Sequence, residues 1–345
     1  MSFHTEKELN EQIKVRLNLS PLAYSVIQFD MDIFGNEHNA NFINRVFLNF
    51  ADIANASVIN ALNYYKSELE TLLEKNTADK SSKERIISTL IGIRKKELED
   101  KDNYEKGGGT VLIDLNKKVR KYLFSECSED GYYKSFTRYI KNVIEEYAGL
   151  PYVEREKIYF KDFVDEIEKA IKENYTLKVS SGNNIWYEVY PYKLMTDFAL
   201  KANYLVGYRK PLNSKDSKEI CVYRLSRLKE VEVRQGHKLF IPKKDIIELE
   251  KNIKSRGVEF LIGEEQCIKV KMTPNGVYQY SRALNLRPTY AEKSKDNVYT
   301  FYCTKKQAEY YFFKFGEDAE IIEPHDLRDK FKEKYEKAAG IYREN

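Results

Sequence analysis

The sequence is poor in the residues that build metal centres and disulfides, with four cysteines and four histidines among 345 residues. Cys127, Cys221, Cys267 and Cys303 lie 94, 46 and 36 positions apart and form no Cys-x-x-Cys pair, so zinc and disulfide frameworks are disfavoured. His4, His38, His237 and His325 are scattered, with no pair at helical spacing. No apolar run approaches the roughly 20 residues of a membrane span. The start, Met1-Ser2-Phe3-His4-Thr5-Glu6, shows no basic segment followed by an apolar core. The expectation is a reduced, cytoplasmic protein with no membrane contact.

Catalytic patterns are equally scarce. Gly107, Gly108 and Gly109 are not followed by the Lys-Ser/Thr of a phosphate loop, and there is no nucleophile elbow. No arginine stands five residues before any histidine, which removes the Arg-x4-His pattern of many RNA-cleaving helical domains. Carboxylate strings such as Glu166-Ile167-Glu168-Lys169 read as solvated helix faces in a chain that is 32% charged. The expectation is a non-enzyme without metal or cofactor.

What the chain does have is apolar material for more than one core. At 345 residues and 42% hydrophobic content, two or three domains are expected. Ile13, Val15, Leu17 and Leu19 alternate with Lys14, Arg16 and Asn18 as in a half-buried strand. Ser20-Pro21 caps and opens a helix that Gly35 closes, and a second helix from about Asn39 carries Phe42, Val46, Phe50 and Ile53 on one stripe. Residues 55–103 read as a helical hairpin broken near Asn76 to Ser82, where Asp79 begins a turn and a fresh cap.

The first unit then returns. A shift of 98 places Val15, Leu17 and Asn18 on Ile113, Leu115 and Asn116. A shift of 97 places Phe42, Ile43, Val46, Phe50 and Ala51 on Tyr139, Ile140, Val143, Tyr147 and Ala148. Two strand-helix-helix copies, about 13–54 and 110–148, therefore form an intrachain tandem repeat, whose strands complete one domain by pairing antiparallel. The first domain is residues 1–150.

After an amphipathic connection from Glu154 to Tyr175, the pattern changes to short β-runs: 177–179, 186–189, 204–208, 220–225 and 228–233. Five strands point to a small barrel within a domain of residues 151–240. Residues 241–345 read as an α+β extension, with helices near 243–254, 308–315 and from Asp326, and a strand at 267–272. The fold class is multidomain α+β. Leu327, Phe331, Tyr335 and Ala338, at near-helical spacing, are expected to form a homodimer surface.

Charge is concentrated in the β-region. Between Tyr175 and Lys238 there are twelve Lys or Arg and six Asp or Glu, a surplus of +6 against +4 for the whole chain. Trp186, Tyr175, Tyr187, Tyr190, Tyr192, Tyr204, Tyr208 and Tyr223 interleave with these cations, as a single-strand nucleic-acid groove requires. Any one of these tyrosines can equally fill a barrel core with its hydroxyl at the rim. The candidate nucleic-acid-binding residues are Lys193, Tyr204, Tyr208, Arg209, Lys210, Arg224 and Arg227.

Asn203-Tyr204-Leu205-Val206-Gly207-Tyr208, with Val189-Tyr190-Pro191 before it and Tyr223-Arg224-Leu225-Ser226-Arg227-Leu228 after it, resembles the WYL domain, an Sm/SH3-like barrel. The tail is similar to that family's C-terminal extension through Phe315-Gly316, Ile321-Ile322-Glu323-Pro324 and Leu327-Arg328. The resemblance implies ligand-facing roles for Tyr204, Arg224 and Arg227. Asn203, Tyr187, Ser180 and Ser226 depart from the family pattern. The N-terminal repeat resembles a ribbon-helix-helix unit, which implies that Lys14, Arg16 and Asn18 could read duplex DNA. The second copy offers Leu112, Asp114 and Asn116 instead, and residues 1–54 carry a net charge of −3, which is poor chemistry for a phosphate-lined groove.

This order of parts is similar to the accessory proteins of type VI-D CRISPR systems. That resemblance implies single-stranded RNA as ligand and an RNA-guided ribonuclease as partner. The alternatives are a DNA-binding transcriptional regulator with a ligand-sensing barrel and, behind it, a protein-interaction scaffold.

Overall fold

The computed structural model of the chain describes residues 12–36, 38–74, 79–99, 107–126, 136–182, 185–198, 200–214 and 217–342. They form two compact units, residues 1–161 and 162–345. The architecture is mixed α+β, with three separate antiparallel sheets among the described residues.

In the first unit the elements are β1 (Lys14–Asn18), α1 (Pro21–Phe34), α2 (Asn39–Glu74), α3 (Lys80–Glu99), β2 (Thr110–Asp114), α4 (Lys117–Glu126), α5 (Phe136–Gly149) and α6 (Tyr152–Tyr159). β1 and β2 pair antiparallel, Arg16 opposite Leu112 and Lys14 opposite Asp114. Val15, Leu17, Val111 and Ile113 point into the core. The positions that match between the copies, Phe42, Ile43, Val46, Phe50 and Ala51 and then Tyr139, Ile140, Val143, Tyr147 and Ala148, are all buried. Each such large side chain contributes about 1.5–3 kcal/mol.

The caps also follow from local chemistry. The Ser20 hydroxyl accepts from the Ala23 amide at 3.1 Å and itself donates to Glu145 at 2.6 Å, which ties the start of α1 to α5. Asn116 does not stand among the outward strand residues as the repeat suggested; its side chain caps α4, accepting from Val119 N at 2.9 Å. Two of the three consecutive glycines, Gly108 and Gly109, serve close packing. A Cβ on Gly109 would lie 2.1 Å from the Tyr24 ring, where Leu19 N donates to Gly109 O at 3.1 Å.

The expected break between a short second helix and a hairpin near residue 54 is absent. α2 continues for 36 residues, because the sequence from 51 to 74 contains neither glycine nor proline to stop it. Asp79 caps α3 through Ser81 N at 3.2 Å and Ser82 N at 3.0 Å. The expected turn at 76–78, like Cys127, lies outside the described residues.

The second unit opens with α7 (Lys161–Glu173), followed by β3 (Tyr175–Ser180), β4 (Trp186–Asp197), β5 (Ala202–Pro211), β6 (Glu219–Arg224) and β7 (Glu230–Lys238). The strand order is β6-β5-β4-β3-β7. Its two edges are consecutive in sequence, joined through the 3-10 turn Leu225–Arg227, and do not pair with each other. The expected closed barrel is therefore an open five-stranded sheet among the described residues. Edge strand β7 has Val233 N satisfied by Glu166 of α7 at 2.8 Å, which removes a free edge donor. β4 shifts register between Pro191 and Lys193, and Gly207 faces that irregularity. A Cβ on Gly207 would lie 2.2 Å from Tyr190 O.

The rest of the unit comprises α8 (Lys243–Arg256), a 3-10 turn Val258–Phe260, β8 (Glu265–Met272), α9 (Pro274–Arg282), β9 (Tyr290–Lys293), β10 (Val298–Thr304), α10 (Lys305–Phe312), β11 (Ala319–Glu323) and α11 (His325–Ile341). The sheet order β11-β8-β10-β9 over a β-α-β-β-α-β succession is the split β-α-β topology. The sequence had indicated one strand here. β9 is exposed at every position and so shows no alternation, and β10 reads as an aromatic run of ambiguous period.

The stripe expected to form a dimer surface is used within the chain. Leu327 and Phe331 are 2% and 4% exposed in the core of this sheet. Tyr335 stacks on Phe313 at 4.8 Å and donates to the Phe313 carbonyl at 2.9 Å. The stripe thus gives no support for a dimer.

Candidate nucleic-acid interface

Tyr204, Val206 and Tyr208 alternate along one face of β5, and α8 with its following 3-10 turn packs on that face through Leu249, Val258 and Leu261. The tyrosine hydroxyls pin these elements to the sheet. Tyr208 donates to the Asp245 carbonyl at 3.1 Å, Tyr192 bonds Glu250, and Tyr204 donates to Glu259 Oε2 at 3.0 Å. Burial, with the Glu259 charge adding to it, pushes the Tyr204 hydroxyl well above the ordinary phenol range, so it remains a donor at any physiological pH.

The Tyr204 end of this face opens into a cavity of about 330 Å³. Arg224, at the end of β6, and Arg227, in the 3-10 turn, enter it from the sheet; Lys306 and Tyr310 enter from α10. Lys306 and Tyr310 are four residues apart and share one helix face. Lys306 Nζ binds the second oxygen of Glu259 at 2.7 Å, so that carboxylate bridges strand and helix. Phe260 and Tyr310 face one another with ring centroids 6.3 Å apart, and Leu200, Val222, Ile262 and Leu286 supply apolar wall. Arg227 is exposed and pairs with no carboxylate among the described residues. Among the described residues, three cations and one carboxylate thus line a partly aromatic cavity, which suits an anion carrying a flat ring.

Against known proteins, no family model matches the chain and no curated protein matches it. Among solved structures, one described as a CRISPR Cas-related protein is 25% identical, covering 97% of this chain and 95% of its own, with a TM-score of 0.71. The chain shares that protein's fold. Proteasome accessory factor B/C of Arthrobacter aurescens matches at 14% identity over 66% of this chain and 38% of its own, with a TM-score of 0.25, and carries no argument.

The remaining candidate residues lie elsewhere. Arg209 binds Glu219 at 2.8 Å and the Tyr223 hydroxyl at 3.0 Å, and lies over the Tyr187 ring. Lys210 pairs with Glu188 at 3.2 Å. Lys193 is exposed on β4, and Tyr208 is committed to α8. Rings and cations do interleave, largely with one another: Lys178 covers Trp186 at 3.9 Å and Lys218 covers Tyr190 at 3.6 Å. On the ribbon of the first unit Lys14, Arg16 and Asn18 face outward, with Asn18 accepting from Thr110 at 2.9 Å.

Glu259, Phe260, Lys306 and Tyr310 had no signal of their own in the sequence. They come from the extension, 55 or more positions after Tyr204, and only the packing of α8 and α10 against the sheet gathers them. Of the three described cysteines, Cys267 is exposed while Cys221 and Cys303 are buried, and burial pushes both buried thiols up to about 12, which disfavours their thiolates.

Proposed function

We propose that this chain is a non-catalytic, CRISPR-associated accessory protein that binds single-stranded RNA in the Tyr204–Arg224–Arg227 cavity and modulates an RNA-guided ribonuclease. One observation carries the reading. Tyr204, Arg224 and Arg227, from two strands and a turn, converge with Lys306 and Tyr310 on one cavity of about 330 Å³. Likeness over nearly the whole chain to a CRISPR Cas-related protein supports the association with that system. In this reading the open five-stranded sheet is a WYL domain and the paired strand-helix-helix copies are a ribbon-helix-helix unit whose role is scaffolding. The effector of a type VI-D system is the proposed partner.

The test is binding of a fluorescent 16-nucleotide oligo(U) RNA across a salt series, alongside a duplex DNA of equal length. Arg224→Ala and Arg227→Ala should each weaken RNA binding and flatten its salt dependence, whereas Lys14→Ala and Arg16→Ala should not. The reverse pattern, with tight duplex binding lost on changing Lys14 or Arg16, would replace this reading with a DNA-binding regulator. The ribbon argues against that outcome, because Arg16 stands opposite Leu112 and Lys14 opposite Asp114.

A further inference from the structure

A second cavity, of about 410 Å³, adjoins the first and shares Lys306 and Tyr310 with it. Its other walls are Glu309, Phe313, Lys314 and Lys334, contributed by α10, the turn after it and α11. Lys330 and Lys334 both hold Glu309, Lys330 at 2.6 Å. One carboxylate is therefore answered by two ammonium groups. Lys314 lies over the Tyr311 ring at 4.6 Å and pairs with no carboxylate among the described residues. Among the described lining residues, Lys306, Lys314 and Lys334 surround Glu309 in the second cavity, and Arg224, Arg227 and Lys306 surround Glu259 in the first. Tyr310, 57% exposed, stands between the two cavities.

We propose that this second cavity binds the sugar-phosphate backbone of the strand as it leaves the first, with a base stacked on Tyr310 and phosphates on Lys314 and Lys334. The inference rests on the reading of the first cavity as a single-strand RNA site. The physical reasons are local. Excess cations held close together repel until an anion enters, and burial further disfavours the Lys314 ammonium, holding its pKa below the usual lysine range. Sequence-tolerant single-strand sites combine such a cationic track with an exposed ring. Glu309 stays in place because Lys330 remains on it when Lys334 is engaged elsewhere.

The experiment uses the full chain, the 16-nucleotide oligo(U) RNA and a salt series, with thermal melting as a check on folding. Lys314→Gln with Lys334→Gln should lower affinity tenfold or more and flatten the slope of log affinity against log salt by about 1.4, the release expected for two single-strand phosphate contacts. Tyr310→Ala should lower affinity by roughly fivefold or more with the slope unchanged, since stacking carries no counterion. Lys251→Gln with Lys254→Gln, two exposed lysines of α8, removes the same charge elsewhere and should have little effect. Unchanged affinity and slope in a folded Lys314→Gln/Lys334→Gln protein would sink the inference while leaving the first cavity intact, as would an equal loss in the α8 control. Failure of the unaltered protein to bind the RNA would remove both readings.

Discussion

Tyr204 and Glu259 are joined across 55 positions of sequence by a 3.0 Å hydrogen bond, and Lys306 occupies the other oxygen of the same carboxylate. Glu259 is therefore both the strut between sheet and extension and the one carboxylate among the described residues that line the candidate cavity. Glu259→Gln keeps an acceptor for Tyr204 while raising the net charge of the cavity by one. RNA affinity should rise about threefold, and the salt slope should steepen by about 0.7, one more single-strand phosphate contact. Titration of the 16-nucleotide RNA checks this; weaker binding at an unchanged melting temperature would mean that the carboxylate itself contacts the ligand.

In the first unit Asp30 is fully buried and accepts from Arg155 Nε at 2.7 Å, from Arg155 Nη2 at 3.0 Å and from the Tyr147 hydroxyl at 2.8 Å. Arg155→Ala leaves a buried carboxylate with its charge uncompensated and should cost about 3–5 kcal/mol. Lysine cannot reproduce the two-pronged contact, so Arg155→Lys should recover less than half of that. Urea unfolding followed by circular dichroism measures both; a loss below about 1 kcal/mol for the alanine variant would contradict the account.

Glu188 sets an acid limit on the second unit. Burial alone would raise its pKa, but the Lys210 hydrogen bond, the Arg234 charge at 2.7 Å and the Thr176 hydroxyl outweigh this and hold it below the ordinary 4.5. A carboxyl whose folded pKa is depressed stabilises the fold fully above its unfolded pKa, and the contribution is lost as pH falls through the folded value. Stability of the unaltered protein should thus decline below about pH 4.5, and Glu188→Gln should be less stable at neutral pH by about 1–3 kcal/mol and decline less on acidification. Parallel slopes in urea melts from about pH 6 to about pH 3 would show that Glu188 is not responsible.

Gly207→Ala places a Cβ 2.2 Å from the Tyr190 carbonyl, which is backbone and cannot step aside cheaply. The variant should lose about 2 kcal/mol or more and, by shifting β5, weaken RNA binding through Tyr204, three residues away. The urea midpoint gives the first effect and RNA titration the second; an unchanged midpoint would mean that the register irregularity at Pro191 to Lys193 yields freely.

Much of the framework was readable locally. Ser20, Pro21 and Gly35 bracket α1 because capping, a fixed proline φ and a left-handed closing residue act within a few positions, and Gly35 adopts φ 69°. The repeat was readable because its matched apolar positions serve the same core. Tyr204, Arg224 and Arg227, singled out together in the sequence, line one cavity. Tyr208, Arg209 and Lys210 carry the same residue types, yet the Asp245 carbonyl, Glu219 and Glu188 take their polar ends, and no local pattern distinguishes a side chain held there from one that lines the cavity.

The sequence by itself determined the highly charged composition, the element starts governed by caps and breakers, the strand-helix-helix repeat and the concentration of charge in the β-region. Tertiary structure decided the rest: that the five-stranded sheet stays open, that the Leu327–Phe331–Tyr335 stripe faces its own core, and that Glu259, Lys306 and Tyr310 complete the cavity. The physical reason is range. Capping and periodicity act over a few residues, whereas a cavity between β5, β6, the turn after α8 and α10 exists only once side chains far apart in sequence have packed together.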